Sequence, residues 1–175
     1  MVVEWSWGGK GKRDERRVVK LFDQAQQQRV AGRLGEAAQT LNAVLDLTRG
    51  LAKQYPEVLT HQQAIASALY MLAAVHQAAG RPDAAIAVLS ECEGIYERLG
   101  QARFLNARPL IADVKIRRAG ALADQGLGAS AVVEADAAVA TYLQITGGGA
   151  DEKQRPDLAR VLAPQQYDPG AVRRS

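Results

Sequence analysis

From Asp14 onward, apolar side chains recur at helical intervals. Val18, Leu21, Phe22 and Ala25 stand three and four residues apart, the spacing that lines one helix face, and the pattern runs to Gly32. A second helix is predicted from near Leu34 towards Tyr55, carrying Ala37, Leu41, Val44, Leu45 and Leu51. The third carries Leu59, Ile65, Leu69, Leu72 and Ala73, with Pro56 suited to its first turn, and stops at Gly80. Pro82 opens a fourth, through Ala85, Leu89, Cys92 and Tyr96, ending at Gly100. The fifth has Pro109 in its first turn and ends near Gly126; the sixth runs from about Gly128 to Ile145. Three glycines at 147–149 then break the chain, and 156–163 can form one short helix before Pro164. No run of alternating β-branched residues is long enough for a strand. Short turns force neighbouring helices antiparallel. The pattern therefore predicts an all-α chain of three helical hairpins plus a stub that covers one end. The expected organisation is a flexible basic leader at 1–13, a repeat domain at 14–163 and a tail at 164–175.

The three hairpin turns repeat one another. Gly32 is followed by Ala37, Leu41 and Val44; Gly80 by Ala85, Leu89 and Cys92; Gly126 by Ala131, Ala135 and Ala138. The glycines are 48 and 46 residues apart. Each can leave the helical region at the end of a first helix. The alanine five residues on lets the second helix approach closely, where a larger side chain would push it away. The residues four and seven further on share that face.

This set resembles the tetratricopeptide repeat family, whose pattern has Gly at the turn, Ala early in the second helix, an aromatic or Leu one turn on, and another Ala after that. The first helix of the family pattern adds an apolar and a small residue, here Leu21 and Ala25, then Leu69 and Ala73. Gly80-Arg-Pro-Asp-Ala-Ala-Ile and Arg155-Pro-Asp-Leu-Ala-Arg-Val-Leu are similar to the repeats of actinobacterial multi-repeat proteins. The resemblance covers about residues 14–163. The units depart from the family in length, whose repeat is about 34 residues. Arg49 and Glu97 replace its helix-ending proline, and Gln24 and Gln28 stand where it has an apolar and an aromatic residue. In the third unit Lys115 and Arg118 fall at expected core positions, so its first helix is rotated or its register shifts by one.

The resemblance implies a short α-α superhelix whose first helices line a concave groove for a partner segment. Carried over position by position, the groove residues are Phe22, Gln26 and Arg29, then Tyr70 and Gln77, then Arg117. Arg29 and Tyr70 are the foremost binding candidates. Such a groove suits a peptide with an acidic or polar stretch. The function implied is a non-catalytic protein–protein interaction scaffold or adaptor, with a protein or peptide as partner ahead of nucleic acid. Alternatives are a regulatory or sensor module beside a DNA-binding or ATPase partner, or a basic leader that binds an acidic surface or nucleic acid.

Composition narrows the choice. The formal charge of +3 is far below that of a dedicated nucleic-acid binder. Abundant Ala, and Arg in excess of Lys, point to a GC-rich bacterial genome. Cys92 is the only cysteine, so no internal disulfide marks the chain as secreted. No stretch reads as a signal peptide or reaches the roughly 18 apolar residues of a membrane span, so a cytoplasmic protein without membrane insertion is expected.

Catalytic chemistry is sparse. His61 and His76, the only histidines, lie 15 residues apart on one predicted helix and cannot share an ion locally; with Cys92 they fall short of a zinc ligand set. Cys92 reads as a buried structural thiol between Glu91 and Glu93. No Gly-x-Ser-x-Gly elbow is present. Glu91, Glu93 and Glu97 read as a solvated charged face. Gly8-Gly-Lys-Gly-Lys lacks the strand and the Gly-Lys-Ser/Thr of a phosphate loop. Lys10, Lys12, Arg13, Arg16, Arg17 and Lys20, with Trp5 and Trp7 nearby, form a basic leader set against Asp14 and Glu15. No enzyme, metal or cofactor is expected.

Overall fold

Six helices run through residues 12–145, the portion described by this computed structural model: α1 (Lys12–Val30), α2 (Leu34–Gln54), α3 (Leu59–Ala78), α4 (Pro82–Gln101), α5 (Arg108–Asp124) and α6 (Gly128–Ile145). The first eleven leader positions, the stub expected at 156–163 and the tail lie outside the described residues. Each helix packs against its neighbours in the chain, so the described portion is a series of stacked antiparallel hairpins without strand. No described helix is long and apolar enough to cross a membrane.

The hairpin turns are built alike. Gly32, Gly80 and Gly126 take positive φ of 73°, 66° and 77°, a region that side chains disfavour. The residue after each glycine donates its N–H five residues back: Arg33 to Gln28, Arg81 to His76 and Leu127 to Leu122, all at 2.8–2.9 Å. This Schellman bond satisfies a carbonyl left open at the helix end. The same residues then accept the first bond of the following helix, from Ala37, Ala85 and Ala131. These three alanines are buried, as are the residues four and seven places on in each unit.

Two boundaries differ from the sequence pattern. Pro56 is not in the first turn of α3. Proline pushes its predecessor out of the helical region; Tyr55 has ψ 69° and ends α2. Pro56 occupies the turn, closed by Val58 N–H to Tyr55 O at 3.0 Å. At the other end, α4 passes Gly100, and the left-handed position is Arg103, with φ 53°. Gly100 serves a different need: a Cβ there would lie 2.9 Å from Ala107 Cβ, where the start of α5 crosses the end of α4.

Gln28, Lys115 and Arg118, three of the departures from the repeat pattern, become polar links between helices. Gln28 is buried, accepts a 2.8 Å bond from Thr40 Oγ1, and donates to Glu36 at 3.3 Å, tying α1 to α2. Arg118 on α5 bridges Glu93 on α4 (2.5 Å) and Glu134 on α6 (2.8 Å), while Lys115 reaches Glu93 at 3.2 Å. Burial pushes the Arg118 guanidinium down, but its bonds to Glu134 and Glu93 outweigh that and leave it raised. The third unit therefore keeps cations at the expected core positions because two neighbouring helices, α4 and α6, supply carboxylate partners. Glu93, read as solvated, is only 13% exposed.

Candidate functional site

α1, α3 and α5, the first helices of the three hairpins, carry all six groove candidates. The structure brings three of them into direct contact. The Arg117 guanidinium on α5 lies 4.4 Å above the Tyr70 ring on α3, a cation–π arrangement. Arg117 Nη2 also donates to Tyr70 Oη at 3.2 Å. Gln77, two turns further along α3, accepts from Arg117 Nη1 and donates to the Arg117 carbonyl, both at 3.5 Å. Gly120 sits beside this contact, where a Cβ would meet Gln77 Nε2 at an ordinary 3.4 Å. All three side chains are half-buried.

The three α1 candidates form a separate local group. Arg29 Nε donates to Gln26 Oε1 at 3.2 Å. Gln26 is exposed, Arg29 half-buried, and Phe22 packs partly against the core. α1 is also tied to α3 at depth. The Glu15 carboxylate lies 3.5 Å from His61 Nε2, both nearly sealed from solvent. This inward turn of Glu15 leaves Arg13, Arg16, Arg17 and Lys20 together on an exposed stripe of α1.

Around the Tyr70 cluster lie polar contacts that the sequence does not reveal. Tyr96 on α4 hydrogen-bonds Ser67 on α3, and its phenol is pushed up chiefly by burial. Tyr142 on α6 donates to Asp113 on α5. These pairs are 29 residues apart in the chain for both Tyr96–Ser67 and Tyr142–Asp113, so no local spacing marks them; only the hairpin offset, applied to polar rather than apolar residues, could have suggested them.

The nucleophile and base candidates are placed otherwise. Cys92 is buried between α3 and α4, its Sγ 3.2 Å from the Ala66 carbonyl. Burial, then the Glu91 and Glu93 charges, push its thiol up to about 12, the reverse of an activated thiolate. His76 is held below its usual value by burial and by the Arg81 charge. Among the described residues no three His, Cys, Asp or Glu side chains gather where one metal ion could be held.

Comparison of the chain with family models, with curated proteins and with solved structures finds no match.

Proposed function

We propose that the chain is a tetratricopeptide-like, non-catalytic interaction scaffold that holds an extended partner segment along the face of α1, α3 and α5. The Arg117–Tyr70 stack carries this reading. A guanidinium set over an aromatic ring is pre-organised to meet a carboxylate or a peptide carbonyl, and Tyr and Arg are the residues that dominate interface energetics. The arrangement is also costly: Arg117 Nε is buried without a hydrogen-bond partner. Leaving a donor unmade costs roughly 1–3 kcal/mol, a reason to regard the cluster as kept for binding rather than for stability. Gln77 beside it, and Gln26 with Arg29 on α1, supply donors and acceptors for a polar backbone.

A random-peptide phage library panned on the immobilised chain supplies the probe. Affinity of the enriched peptide should fall at least about tenfold in Tyr70→Ala and in Arg117→Ala, with helix content unchanged; tenfold corresponds to about 1.4 kcal/mol. Arg29→Ala should weaken it further in the Tyr70→Ala background. Full-strength binding by these variants rejects the groove. A second reading has one observation behind it: Arg13, Arg16, Arg17 and Lys20 form an exposed basic stripe along α1, suited to an acidic surface. Binding lost when these four become Gln, and falling steeply with salt, favours that reading.

A further inference from the structure

We infer that the face of α6 bearing Val132, Val139 and Tyr142 is a docking surface whose occupant is this chain's own segment 155–162, seated on α6 as α5 is seated on α4. The motif that opens α5, Arg108-Pro-Leu-Ile-Ala-Asp-Val, returns as Arg155-Pro-Asp-Leu-Ala-Arg-Val. The two copies are 47 residues apart, between the 46 and 48 that separate the turn glycines. In the first copy Ala112 and Val114 are fully buried; Ala159 and Val161 hold the same places in the second. The chain therefore carries the opening of a fourth first helix, and in stacked repeats such a helix buries its face against the unit before it.

α6 offers the seat. The offset that carries Gly80 to Gly126 carries Ile86, Glu93 and Tyr96 of α4 to Val132, Val139 and Tyr142 of α6. On α4 this side meets α5. Glu93 pairs with Lys115 at 3.2 Å, and the Tyr96 phenol, pushed up first by burial, also feels the Asp113 charge. Tyr96 is buried there, and Ile86 packs against the main cluster. On α6, with no described helix beyond it, Tyr142 is half-buried and Val132 is 52% exposed. The two partners change together. Where Glu93 becomes Val139, Lys115 becomes Leu162, so an ion pair gives way to an apolar pair. The equivalent positions on α2 and α3 are Leu45 and Leu69, both buried. Asp113 becomes Arg160, a cation brought towards Tyr142 and the Asp113 carboxylate that Tyr142 bonds. Residues 146–154 make a longer connection than 102–107, which already return the chain from α4 to α5. A second copy or an unrelated helix would cover the exposed valine, but would leave the paired changes to Leu162 and Arg160 without a cause.

Disulfide trapping in the full chain tests the seat. Under mild oxidation Val139→Cys/Leu162→Cys should close an intrachain disulfide at least about tenfold faster than Val133→Cys/Leu162→Cys, because a docked segment holds its thiol in reach of one face while a loose tether visits both. Val133 is 68% exposed and lies off the Val132–Val139 stripe. Equal rates overturn the proposal, as do disulfides formed mainly between chains, which would assign the face to a second copy. Exchanging the pair supplies an independent readout. Val139→Glu alone and Leu162→Lys alone should each raise amide hydrogen exchange in α6 several-fold. Together they rebuild the Glu93–Lys115 pairing and should restore protection. A double variant no better protected than the single ones overturns the seat. Neither readout depends on peptide binding in the groove.

Discussion

Gly50 and Gly100 sit in helices of the first two hairpins and answer to opposite demands. A Cβ at Gly50 would meet nothing within 4 Å, and its backbone is helical. Glycine there only adds freedom to the unfolded chain, so Gly50→Ala should stabilise by about 0.5–1 kcal/mol. A Cβ at Gly100 would come within 2.9 Å of Ala107 Cβ. Gly100→Ala should therefore cost about 1–3 kcal/mol by overpacking, and adding Ala107→Gly should recover much of it. Urea midpoints of the three variants read this directly, and shifts of the same sign for Gly50→Ala and Gly100→Ala would refute the crossing as drawn. Cys92 shows the same logic of place over type: a thiol beside two glutamates in sequence is, in the fold, a small packed group bonded to Ala66 O.

At the scale of helices, the apolar register was legible from the sequence and the polar register was not. The offsets from Gly32, Gly80 and Gly126 located nine buried positions because burial of small and apolar residues repeats with the hairpin. Sidedness of polar residues does not repeat. Gln28, Lys115 and Arg118 break the pattern when read alone, and only their partners on other helices, Thr40, Glu93 and Glu134, make sense of them. Of the groove candidates, the Tyr70–Gln77–Arg117 contact joins side chains 40 and 47 residues apart, beyond any local rule, though each residue was placed on the right helix by the repeat. Pro56 misled because a proline that opens a helix and a proline that closes the one before it carry the same local signal. The Arg118 network gives a test at this scale. Arg118→Met strands Glu134 and leaves Glu93 with Lys115 alone, and should cost about 1.5–3 kcal/mol. Arg118→Met/Glu93→Met/Glu134→Met removes both carboxylates, leaves the partly exposed Lys115 to solvent, and should regain most of that loss. Thermal melts in which the triple variant is as weak as the single one, or weaker, would show that the network does more than satisfy its own charges.

The described portion of the molecule is a chain of neighbours, and α1 and α6 are not equivalent within it. In stacked repeats each unit is stabilised only by those beside it, so local stability should follow how much apolar area each interface buries. The main hydrophobic cluster draws on α1 to α5 and takes nothing from α6. The buried residues of α6 are Ala131, Ala135 and Ala138 alone, which remove little surface from water, while Val132, Val133 and Leu143 remain exposed. What holds α6 is largely its pairing with α5, reinforced by Arg118–Glu134 and Tyr142–Asp113. Hydrogen exchange should therefore be fastest in α6, intermediate in α5 and slowest in α2 to α4, with α6 opening well below the free energy of global unfolding. The functional consequence is specific. Arg117 rides on α5, so anything that loosens the third hairpin also moves the guanidinium off Tyr70. Glu134→Gln, on α6 and outside the groove candidates, should raise exchange in α5 and α6 and weaken a groove-bound peptide, while protection in α2 and α3 stays unchanged. Uniform protection across the six helices, or faster exchange in Glu134→Gln with undiminished peptide binding, would show that the groove does not depend on its weakest hairpin.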